Sequence, residues 1–455
     1  MKFSRFVYHL ISVGMAAIVL LGILGACATT QNTPAALTPT PPQRATLPPL
    51  PKCLASTSAP RCYSPQQIRQ AYQIQPLLDT GITGKGRTIV LIEVANSPTL
   101  NMDVHLYDQI FGLKDPKITT FIAYQTPPGS DFIASEETTL DVEIAHALAP
   151  DAAIDLVMVD VSHSKSWDDY TLNILGGMKY AVNQNLGDVI EQVFGTGEDC
   201  VDAAYLQEEH QILQEAQARH ITVLASTGDA GAAVLHCPNG PQAPRSSTLP
   251  FTRGVSLPAS DPLVTAVGGS SLNATVKTGD YIGETTWNDH RPGTLSFAYS
   301  TGGGFSTLFP RPAYQQGVTG TGTMRGIPDV AFDADPFTGI PIVYSPKGKT
   351  MITPVGGTSV CAPVWAAIVA LADQFANKRL GFLNDALYRI GQSGSYAQAF
   401  HDVTTGNNTV TIQNQGKQAS MISGYNAGPG WDAVTGLGTP NVASLVHLLA
   451  QEVNS

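Results

Sequence analysis

Residues 87–94 read Arg-Thr-Ile-Val-Leu-Ile-Glu-Val, a nearly continuous apolar run rich in β-branched side chains. Such a run is typical of a strand that is covered on both faces, as in parallel sheets. Similar runs follow at 152–159, 189–195 and 221–226, and helical stretches such as 203–219 lie between them. This alternation predicts an α/β fold with a doubly wound, mostly parallel sheet and helices on both faces.

The composition of the 455-residue chain indicates a globular protein. Apolar residues make up 43% of it, and no internal repeat or second domain boundary is evident. Charged residues make up only 13% and the formal net charge is −11, which argues against nucleic acid and anionic lipid as partners. A Pro- and Thr-rich stretch at 28–60 is expected to be a semi-rigid stalk, followed by one folded domain at 61–455.

The N-terminus has the features of a targeting segment. Lys2 and Arg5 precede an apolar run of about 16 residues, short for a membrane span, which ends in Leu24-Gly25-Ala26-Cys27. These four residues resemble a bacterial lipobox, so residues 1–27 are predicted to be a signal peptide and Cys27 to carry a lipid. Ordinary signal cleavage is the alternative. Both predict an extracellular protein, either a cell-surface lipoprotein or a secreted one.

Six cysteines fit an oxidising compartment. Cys53 and Cys62 are close in sequence and could close a loop at the start of the domain. Cys200 and Cys237 are the next expected pair. Cys361 would then be the odd one, and a small buried residue is the expected role for it.

A serine follows a Gly-Gly-Thr turn at 356–359 and precedes an apolar run at 364–371 that is expected to be helical. At the start of such a helix, the Ser359 hydroxyl would lie in the positive end of the helix dipole, which favours a nucleophile. A serine nucleophile also needs a base. No His-Gly-Thr motif occurs, and the Asp-Thr-Gly sequence at Asp79 precedes the first strong strand, so a Ser-His-Asp triad is not supported.

The segment 135–150 offers carboxylates as bases instead. Its apolar residues recur every four positions, which predicts a helix capped by Ser135 and ended by Pro150. Glu137 and Asp141 then lie one turn apart on one face. In a cleft the two groups would raise each other's pKa, and the glutamate could take a proton from a serine. The alternative is an acidic first turn favoured by the helix dipole.

The other ionisable residues of this helix are expected to have structural roles. Glu136 and Glu143 point to other faces and are expected to be solvated. His146, about one turn beyond Asp141, is a rival base. The expected role of His146 is nevertheless that of a partly buried structural histidine.

Asp229 is a further candidate because it lies in a glycine-flanked loop after the fourth apolar run. Ligands of open α/β sheets bind beyond the carboxyl ends of the strands, where this loop is expected to be. An ordinary turn is the alternative, since Asp and Gly are both favoured in turns.

The serine motif, the Glu-x-x-x-Asp helix and the Gly-Asp-x-Gly loop occur in the order found in the sedolisins, or serine-carboxyl peptidases. The chain resembles that family from about residue 62 to its C-terminus. The resemblance implies a subtilisin-like fold, one catalytic domain and serine-type peptidase activity. It implies a role for four residues: nucleophile for Ser359, general base for Glu137, orienting acid for Asp141 and oxyanion-hole acid for Asp229. Asp229 must be protonated to donate a hydrogen bond, which implies activity at acidic pH.

The resemblance also implies one Ca²⁺ site near the C-terminus. Two segments, 401–406 and 427–432, match the loops of that site in the family. The implied ligands are carboxylates from Asp402 and Asp432 and backbone carbonyls from Val403, Gly428 and Gly430. An all-oxygen set of this kind suits a hard cation.

Substrate binding is implied for the stretch 190–195, which matches a family strand whose edge pairs with extended peptide. Val193, Phe194 and Gly195 are therefore the expected substrate-binding residues. Glu191 and Val193 stand where small polar serines are common in the family, so the subsite preference is left open. Family members usually carry a long N-terminal folding domain, whereas only a short stalk is expected here. The chain would fold without that domain or obtain it from a separate chain.

The expected function is that of a monomeric, exported endopeptidase that cleaves protein or peptide substrates at acidic pH through an acyl-enzyme on Ser359. A lipid on Cys27 would be its only contact with a membrane. Two alternatives stay open: a tripeptidyl-peptidase, and a non-catalytic surface lipoprotein that keeps the fold and binds peptides. All four catalytic positions are filled, which argues against the second alternative.

Overall fold

The computed structural model describes residues 47–57, 61–123, 129, 132–245, 249–289, 299–412 and 420–452. Cys27, the expected signal segment and most of the expected stalk lie outside these residues. The division between stalk and domain therefore stays a prediction.

The described residues contain ten α-helices: α1 (Pro65–Ala71), α2 (Gln75–Asp79), α3 (Leu100–Phe111), α4 (Phe132–Leu148), α5 (Trp167–Asn183), α6 (Ala203–Ala218), α7 (Thr358–Ala376), α8 (Asn384–Gly391), α9 (Tyr396–Ala399) and α10 (Val442–Glu452). The strands are β1 (Thr88–Glu93), β2 (Ile118–Ile122), β3 (Ala153–Met158), β4 (Val189–Gln192), β5 (Thr196–Gly197), β6 (Thr222–Ser226), β7 (Ala233–Leu235), β8 (Phe251–Arg253), β9 (Ser256–Leu257), β10 (Thr265–Ala274), β11 (Tyr281–Thr286), β12 (Gly304–Pro310), β13 (Met324–Ile327), β14 (Val330–Asp333), β15 (Ile340–Tyr344), β16 (Met351–Val355), β17 (Phe400–His401), β18 (Val410–Ile412), β19 (Ser420–Ile422) and β20 (Thr439–Pro440). Short 3₁₀ segments cover Lys52–Ala55, Glu198–Cys200, Ala313–Gln315 and Pro346–Gly348.

An eight-stranded sheet forms the centre of the fold. Its strand order is β11-β10-β6-β4-β1-β3-β2, and β14 pairs with β10 beside this path. Every neighbouring pair is parallel except β10 with β11. Strands β3 and β2 lie on one side of β1, and β4, β6 and β10 lie on the other, so the predicted doubly wound, mostly parallel α/β fold is confirmed.

Alternate residues of β1 enter two separate cores, one on each face of the sheet. Ile89 and Leu91 belong to the core that includes residues of α1, α3, α4, α7 and α10. Val90 and Ile92 belong to the core that includes residues of α5 and α6. Burying an aliphatic side chain completely contributes about 1.5–3 kcal/mol, which explains why this strand contains no polar residue between Thr88 and Glu93.

Helix α7 is the central helix of the first core and packs against α4, α10, β6 and β10. The indole N–H of its Trp365 donates to the carbonyl oxygen of Ala331 at 3.1 Å. Among the described helices, α7 has the length and composition to cross a membrane, but 78% of its most apolar window is buried within the protein. The helix is therefore a buried core helix that packs against the central sheet.

Helix α4 begins earlier than the sequence predicts and is more deeply buried. It starts at Phe132, so Ser135 is not its N-cap but lies inside the helix, where its Oγ donates to the Asn96 carbonyl oxygen at 2.8 Å. The prediction that Glu143 is solvated is wrong, because Glu143 is 0% exposed and its Oε2 accepts the Val343 N–H at 2.8 Å. Glu136, which was also expected to be solvated, is half-buried. Strand β15 packs on α4 and covers the face that carries Glu143.

The cysteines form the two expected disulfides. Cys53 is bonded to Cys62, and Cys200 is bonded to Cys237. Cys361 is a buried free thiol, as expected, and its Sγ lies 3.4 Å from the Phe332 carbonyl oxygen. The predictions for the described cysteines are therefore confirmed.

Candidate active site

Ser359 is the second residue of α7 and is half-buried. The chain reaches it through Gly357, whose φ of 104° lies in the region that favours glycine. A Cβ on Gly357 would lie 2.8 Å from Oδ2 of Asp229, so this glycine also makes room for the loop after β6. The position agrees with the predicted helix start and places Ser359 in the positive end of the helix dipole.

Glu137 is the carboxyl group that contacts Ser359. Helix α4 packs on α7, and the Ser359 and Glu137 side chains form a hydrogen bond. Glu137 is only 6% exposed, and its burial raises its pKa to about 8. The hydrogen bond with Ser359 opposes this rise, whereas the charges of Glu93 and Asp229 add to it. A serine in contact with a carboxyl group of raised pKa is an arrangement suited to proton transfer.

Asp141 lies one turn along α4 from Glu137 and forms a pair with Glu93 of β1. Both members of the pair are 0% exposed, and their carboxyl groups lie close enough to share a proton. Two carboxyl groups can hydrogen-bond to each other only if one of them holds a proton. Burial is the largest cause that raises the pKa of Asp141 well above its usual value, and the charge of Glu191 is the next.

Glu93 and Glu191 are two acids of the site that the sequence pattern did not identify as site residues. Glu93 ends β1, and its Oε2 accepts the Thr138 hydroxyl at 3.0 Å. Glu191 lies on β4, is 0% exposed and interacts with Glu93 and Glu137. An available signal was an acid at the carboxyl end of an otherwise apolar strand, where ligands of α/β sheets bind.

Asp229 follows β6 and lies against the start of α7. Its Oδ1 accepts the Thr358 N–H and the Thr358 hydroxyl, both at 2.8 Å. The Gly228 N–H donates in turn to the Thr358 hydroxyl oxygen at 3.0 Å, which holds the loop at the helix start. Burial raises the pKa of Asp229, and the two hydrogen bonds from Thr358 oppose the rise. A proton on Oδ2 would make Asp229 a donor to an oxyanion formed beside Ser359.

His146 is not part of this site. Its Nε2 lies 3.1 Å from Oδ1 of Asp108, and the side chains of the two residues are 0% and 2% exposed. His146 is therefore a structural histidine, as expected, although it is fully and not partly buried, and it is not the rival base. Glu137 forms its hydrogen bond with Ser359, and the charges that act on it are those of other acids.

The predicted substrate-binding residues lie beyond the carboxyl end of β4. The family resemblance implied that β4 offers a free edge to the substrate. Strand β4 is not an edge strand, however, because it lies between β1 and β6 and ends at Gln192. The carbonyl oxygen of Val193 accepts the Ser226 hydroxyl at 3.0 Å, and that of Phe194 accepts the Gln192 side-chain amide at 2.8 Å. Phe194 and Gly195 line a small pocket, so the position of these residues at the end of the sheet suits ligand binding although their roles stay predictions.

The predicted calcium ligands lie in two loops that the structure brings together. Oδ2 of Asp402 accepts the Gly430 N–H, and Oδ2 of Asp432 accepts the Gly428 N–H, both at 2.9 Å. Neither aspartate forms an ion pair with a cationic side chain in the described residues. Within the same residues no three His, Cys, Asp or Glu side chains converge as a metal site. A cation here would therefore need backbone carbonyls such as those of Val403, Gly428 and Gly430 in addition to the carboxylates, a set that fits Ca²⁺.

Sequence comparison finds relatives that cover most of the chain or about half of it. Kumamolisin from Bacillus sp. (strain MN-32) is 33% identical over 407 residues, which are 87% of this chain and 65% of kumamolisin. Sedolisin from Pseudomonas sp. (strain 101) is 35% identical over 266 residues, or 58% of this chain and 41% of sedolisin. Tripeptidyl-peptidase 1 from Homo sapiens is 31% identical over 275 residues, or 56% of this chain and 42% of the relative. The chain thus spans less than two thirds of the length of these relatives.

Structural comparison points the same way, although no family model matches the chain. The solved structure of Pseudomonas sedolisin, a serine-carboxyl proteinase complexed with two molecules of pseudo-iodotyrostatin, superposes with a TM-score of 0.71 and 29% identity. The superposition covers 86% of this chain and 98% of the sedolisin chain. Together with the kumamolisin match, this shows that the chain belongs to the sedolisin family.

Proposed function

We propose that the chain is a serine-carboxyl peptidase that hydrolyses peptide bonds through an acyl-enzyme on Ser359. The hydrogen bond between Ser359 and the buried Glu137 is the observation that carries this proposal. It pairs a nucleophile with a carboxyl group, whereas a serine peptidase with a histidine base would need an imidazole in that place. Membership of the sedolisin family supports the same reaction class.

In the first step Oγ of Ser359 attacks the carbonyl carbon of the scissile peptide bond, and Glu137 takes the hydroxyl proton. A C–O bond forms while the carbonyl electron pair moves onto the oxygen. Protonated Asp229 and backbone N–H groups near Ser359 donate hydrogen bonds to this oxyanion. Glu137 then gives its proton to the leaving amine as the C–N bond breaks. Water repeats the sequence on the acyl-enzyme and releases the second product.

The protons that these steps require on Asp229 and on the pair of Glu93 and Asp141 support activity in an acidic medium, whereas the raised pKa of Glu137 moves the active range to higher pH. Glu137 has to be ionised, while Asp229 has to hold its proton and the pair of Glu93 and Asp141 has to keep the one it shares. The charges that act on Glu137 come from other acids, so a second negative charge in this group is disfavoured. Activity is expected in the pH range in which the group has lost one proton and kept the others.

The substrates we propose are proteins or peptides, bound beside Val193, Phe194 and Gly195. Endopeptidase action is the first candidate. Tripeptidyl-peptidase action is the second, because human tripeptidyl-peptidase 1 is 31% identical over 275 residues. We also propose export as a monomer, with a lipid on Cys27 as its contact with a membrane. The basic and apolar composition of residues 1–27 supports export.

The test of the proposed function is digestion of a long peptide by the purified protein, with mass analysis of the products and of the protein. We expect internal cleavage in acidic buffer, and an acyl adduct on the Ser359 peptide when the reaction is quenched by strong acid during turnover. Successive removal of tripeptides from the N-terminus would instead identify a tripeptidyl-peptidase. Absence of cleavage across the acidic and neutral range would contradict the proposal.

We further propose that Asp402 and Asp432, with the carbonyl groups of Val403, Gly428 and Gly430, hold one Ca²⁺ ion. When bound, the ion would supply no chemistry to the reaction but would hold the loops 401–406 and 427–432 together. The support for this site is that two carboxylates lie on loops in contact with each other and form no ion pair with a cationic side chain of the described residues.

Chelation of calcium is expected to lower the melting temperature. A ligand present at 100 times its dissociation constant stabilises the native state by about 2.7 kcal/mol, and this contribution would be lost. Asp402→Asn should abolish the calcium-dependent rise in melting temperature, since asparagine can still accept the Gly430 N–H but carries no charge. Asp385→Asn on the exposed face of α8 is the matched control and should respond to calcium as the wild type does. A melting temperature that chelation leaves unchanged would refute the calcium proposal.

A further inference from the structure

Glu191 is a buried acid to which the proposed mechanism gives no role. It is the third residue of β4 and lies in register with Leu91 of β1. Alternate residues of a strand share a face, so Glu191 lies on the face of Val189, and Glu93 lies on the face of Leu91. Val189 and Leu91 belong to the core that includes α4 and α7. Glu191 and Glu93 therefore lie on the sheet face that these helices cover, and α4 carries Asp141.

The side chain of Glu191 has no hydrogen-bond partner among the described residues. The residue is 0% exposed, and neither carboxyl oxygen is bonded. An ionised carboxylate in such a place has neither bulk solvent nor a donor from the described residues to stabilise its charge, so the neutral form is favoured. Burial is accordingly the largest cause that raises the pKa of Glu191 well above its usual value, followed by the charges of Glu93 and Glu137.

The charged groups with which Glu191 interacts are acids. On Asp141 the charge of Glu191 is the largest of the three charge effects, ahead of those of Glu93 and Glu137. No cationic side chain enters the recorded interactions of these four carboxyl groups in the described residues. The titratable groups that the surrounding elements bring to this region are Glu93 on β1, Glu136, Glu137 and Asp141 on α4, Tyr170 on α5, Asp229 after β6, and Cys361 on α7.

We propose that Glu191 is a positioning residue that sets the upper pH limit of the reaction: it is neutral in the active form, and its ionisation disables Glu137 and Asp141. This inference rests on the proposed peptidase function. Glu191 would release its proton to solvent as the pH rises and regain it as the pH falls. Once ionised, it would place a second negative charge in the group. Glu137 would stay ionised, but the repulsion between the two charges would move Glu137 and Asp141 out of the geometry in which Glu137 accepts the proton of Ser359.

Glu191→Gln tests this proposal because glutamine keeps the size and a neutral polar end but cannot ionise. We expect the alkaline limb of the kcat/KM profile to move to higher pH by about one unit, since one route for losing a second proton is removed. The acid limb reports the first proton loss and should keep its midpoint. An alkaline limb that stays in place or moves to lower pH overturns the proposal. If kcat/KM changes by the same factor at every pH, the role of Glu191 is merely structural and the proposal is overturned as well.

Glu209→Gln is the matched control. Glu209 on α6 is also a buried glutamate, with its pKa raised by burial to about 8, but it accepts the Tyr205 hydroxyl at 3.1 Å and interacts with Asp261 instead of the active-site acids. Its substitution should leave both limbs of the pH profile in place. If Glu191→Gln does not fold, Glu191→Ser offers a smaller neutral residue for the same measurement, with the same expected shift and the same contradicting outcomes.

Infrared difference spectroscopy tests the proton on Glu191 without reference to turnover. We expect a carbonyl band of a protonated carboxyl group that is present in the wild type, absent in Glu191→Gln, and lost as the pH rises through the alkaline limb. A band that persists after activity is lost would overturn the proposal. If Ser359→Ala kept its activity, the proposed peptidase mechanism would fail, whereas the infrared result would still report whether Glu191 is neutral.

Discussion

Ser359→Ala is expected to lower kcat for peptide hydrolysis by on the order of 10⁶-fold while the protein stays folded. The substitution removes the attacking oxygen and leaves Glu137 without the hydroxyl with which it forms a hydrogen bond. Ser359 is half-buried at the first turn of α7, and the turn keeps Gly357 and the Thr358 bonds to Asp229. Initial rates on a defined peptide, at the optimum pH of the wild type, measure the loss.

Ser393→Ala is a suitable control for this experiment. Ser393 is an exposed serine just beyond α8, and its hydroxyl donates to the Ile390 carbonyl oxygen at 2.8 Å. The variant should keep the rate of the wild type. Circular dichroism and the melting temperature should show that both variants are folded. A folded Ser359→Ala protein with the rate of the wild type would mean that another group is the nucleophile, and the acyl-enzyme mechanism would have to be abandoned.

The parts of the fold that were predictable from the sequence depend on burial on both sides of an element. Residues 89–92 enter two cores, so each position must be apolar and the pattern can be recognised without a structure. Helix α7 can be recognised from the sequence for the same reason, since helices pack on one side of it and the sheet packs on the other. The disulfide pairs were predictable because Cys53 and Cys62 are neighbours in sequence, which left Cys200 and Cys237.

The parts that were not predictable depend on contacts between segments far apart in sequence. Glu143 is buried because the backbone N–H of Val343, 200 residues further along the chain, donates to it. The pairing of Glu93 with Asp141, and the place of Glu191 beside them, follow from the register of β1 with β4 and from the packing of α4. A single acid in an apolar strand does not indicate whether solvent, a cation or other acids surround it.

The free energy of unfolding is expected to fall as the pH rises from about 4.5 to about 8. Burial raises the pKa of Glu209 and Asp373 to about 8, from ordinary values of 4.5 for glutamate and 3.8 for aspartate. Below the ordinary values both states hold these protons, and the stabilisation is fully present. Between the ordinary and the raised values, the native state keeps protons that the unfolded state has released, so stability declines with pH. Each retained proton contributes about 1.4 kcal/mol per pH unit to the decline.

Few described groups act in the opposite sense. The pKa of Asp160 is lowered in spite of some burial, by hydrogen bonds from Ser162, and that of Asp280 is lowered by a hydrogen bond from Thr278. Both carboxyls change protonation at or below their ordinary pKa of 3.8, so they add nothing to the slope of stability between pH 4.5 and 8. Burial lowers the pKa of His401, which adds a modest rise in stability near its ordinary pKa of 6.5. The buried acids outnumber these groups and determine the sign.

Urea unfolding at a series of pH values measures this decline, and Glu209→Gln isolates one of its sources. A glutamine binds no proton in either state, so the slope of the unfolding free energy should become less negative by about 1.4 kcal/mol per pH unit over this range. Its side-chain oxygen can still accept the Tyr205 hydroxyl, which limits other losses. A wild-type stability that rises with pH across the range would mean that these carboxyl groups are ionised in the native state. The predicted decline in stability would then be wrong.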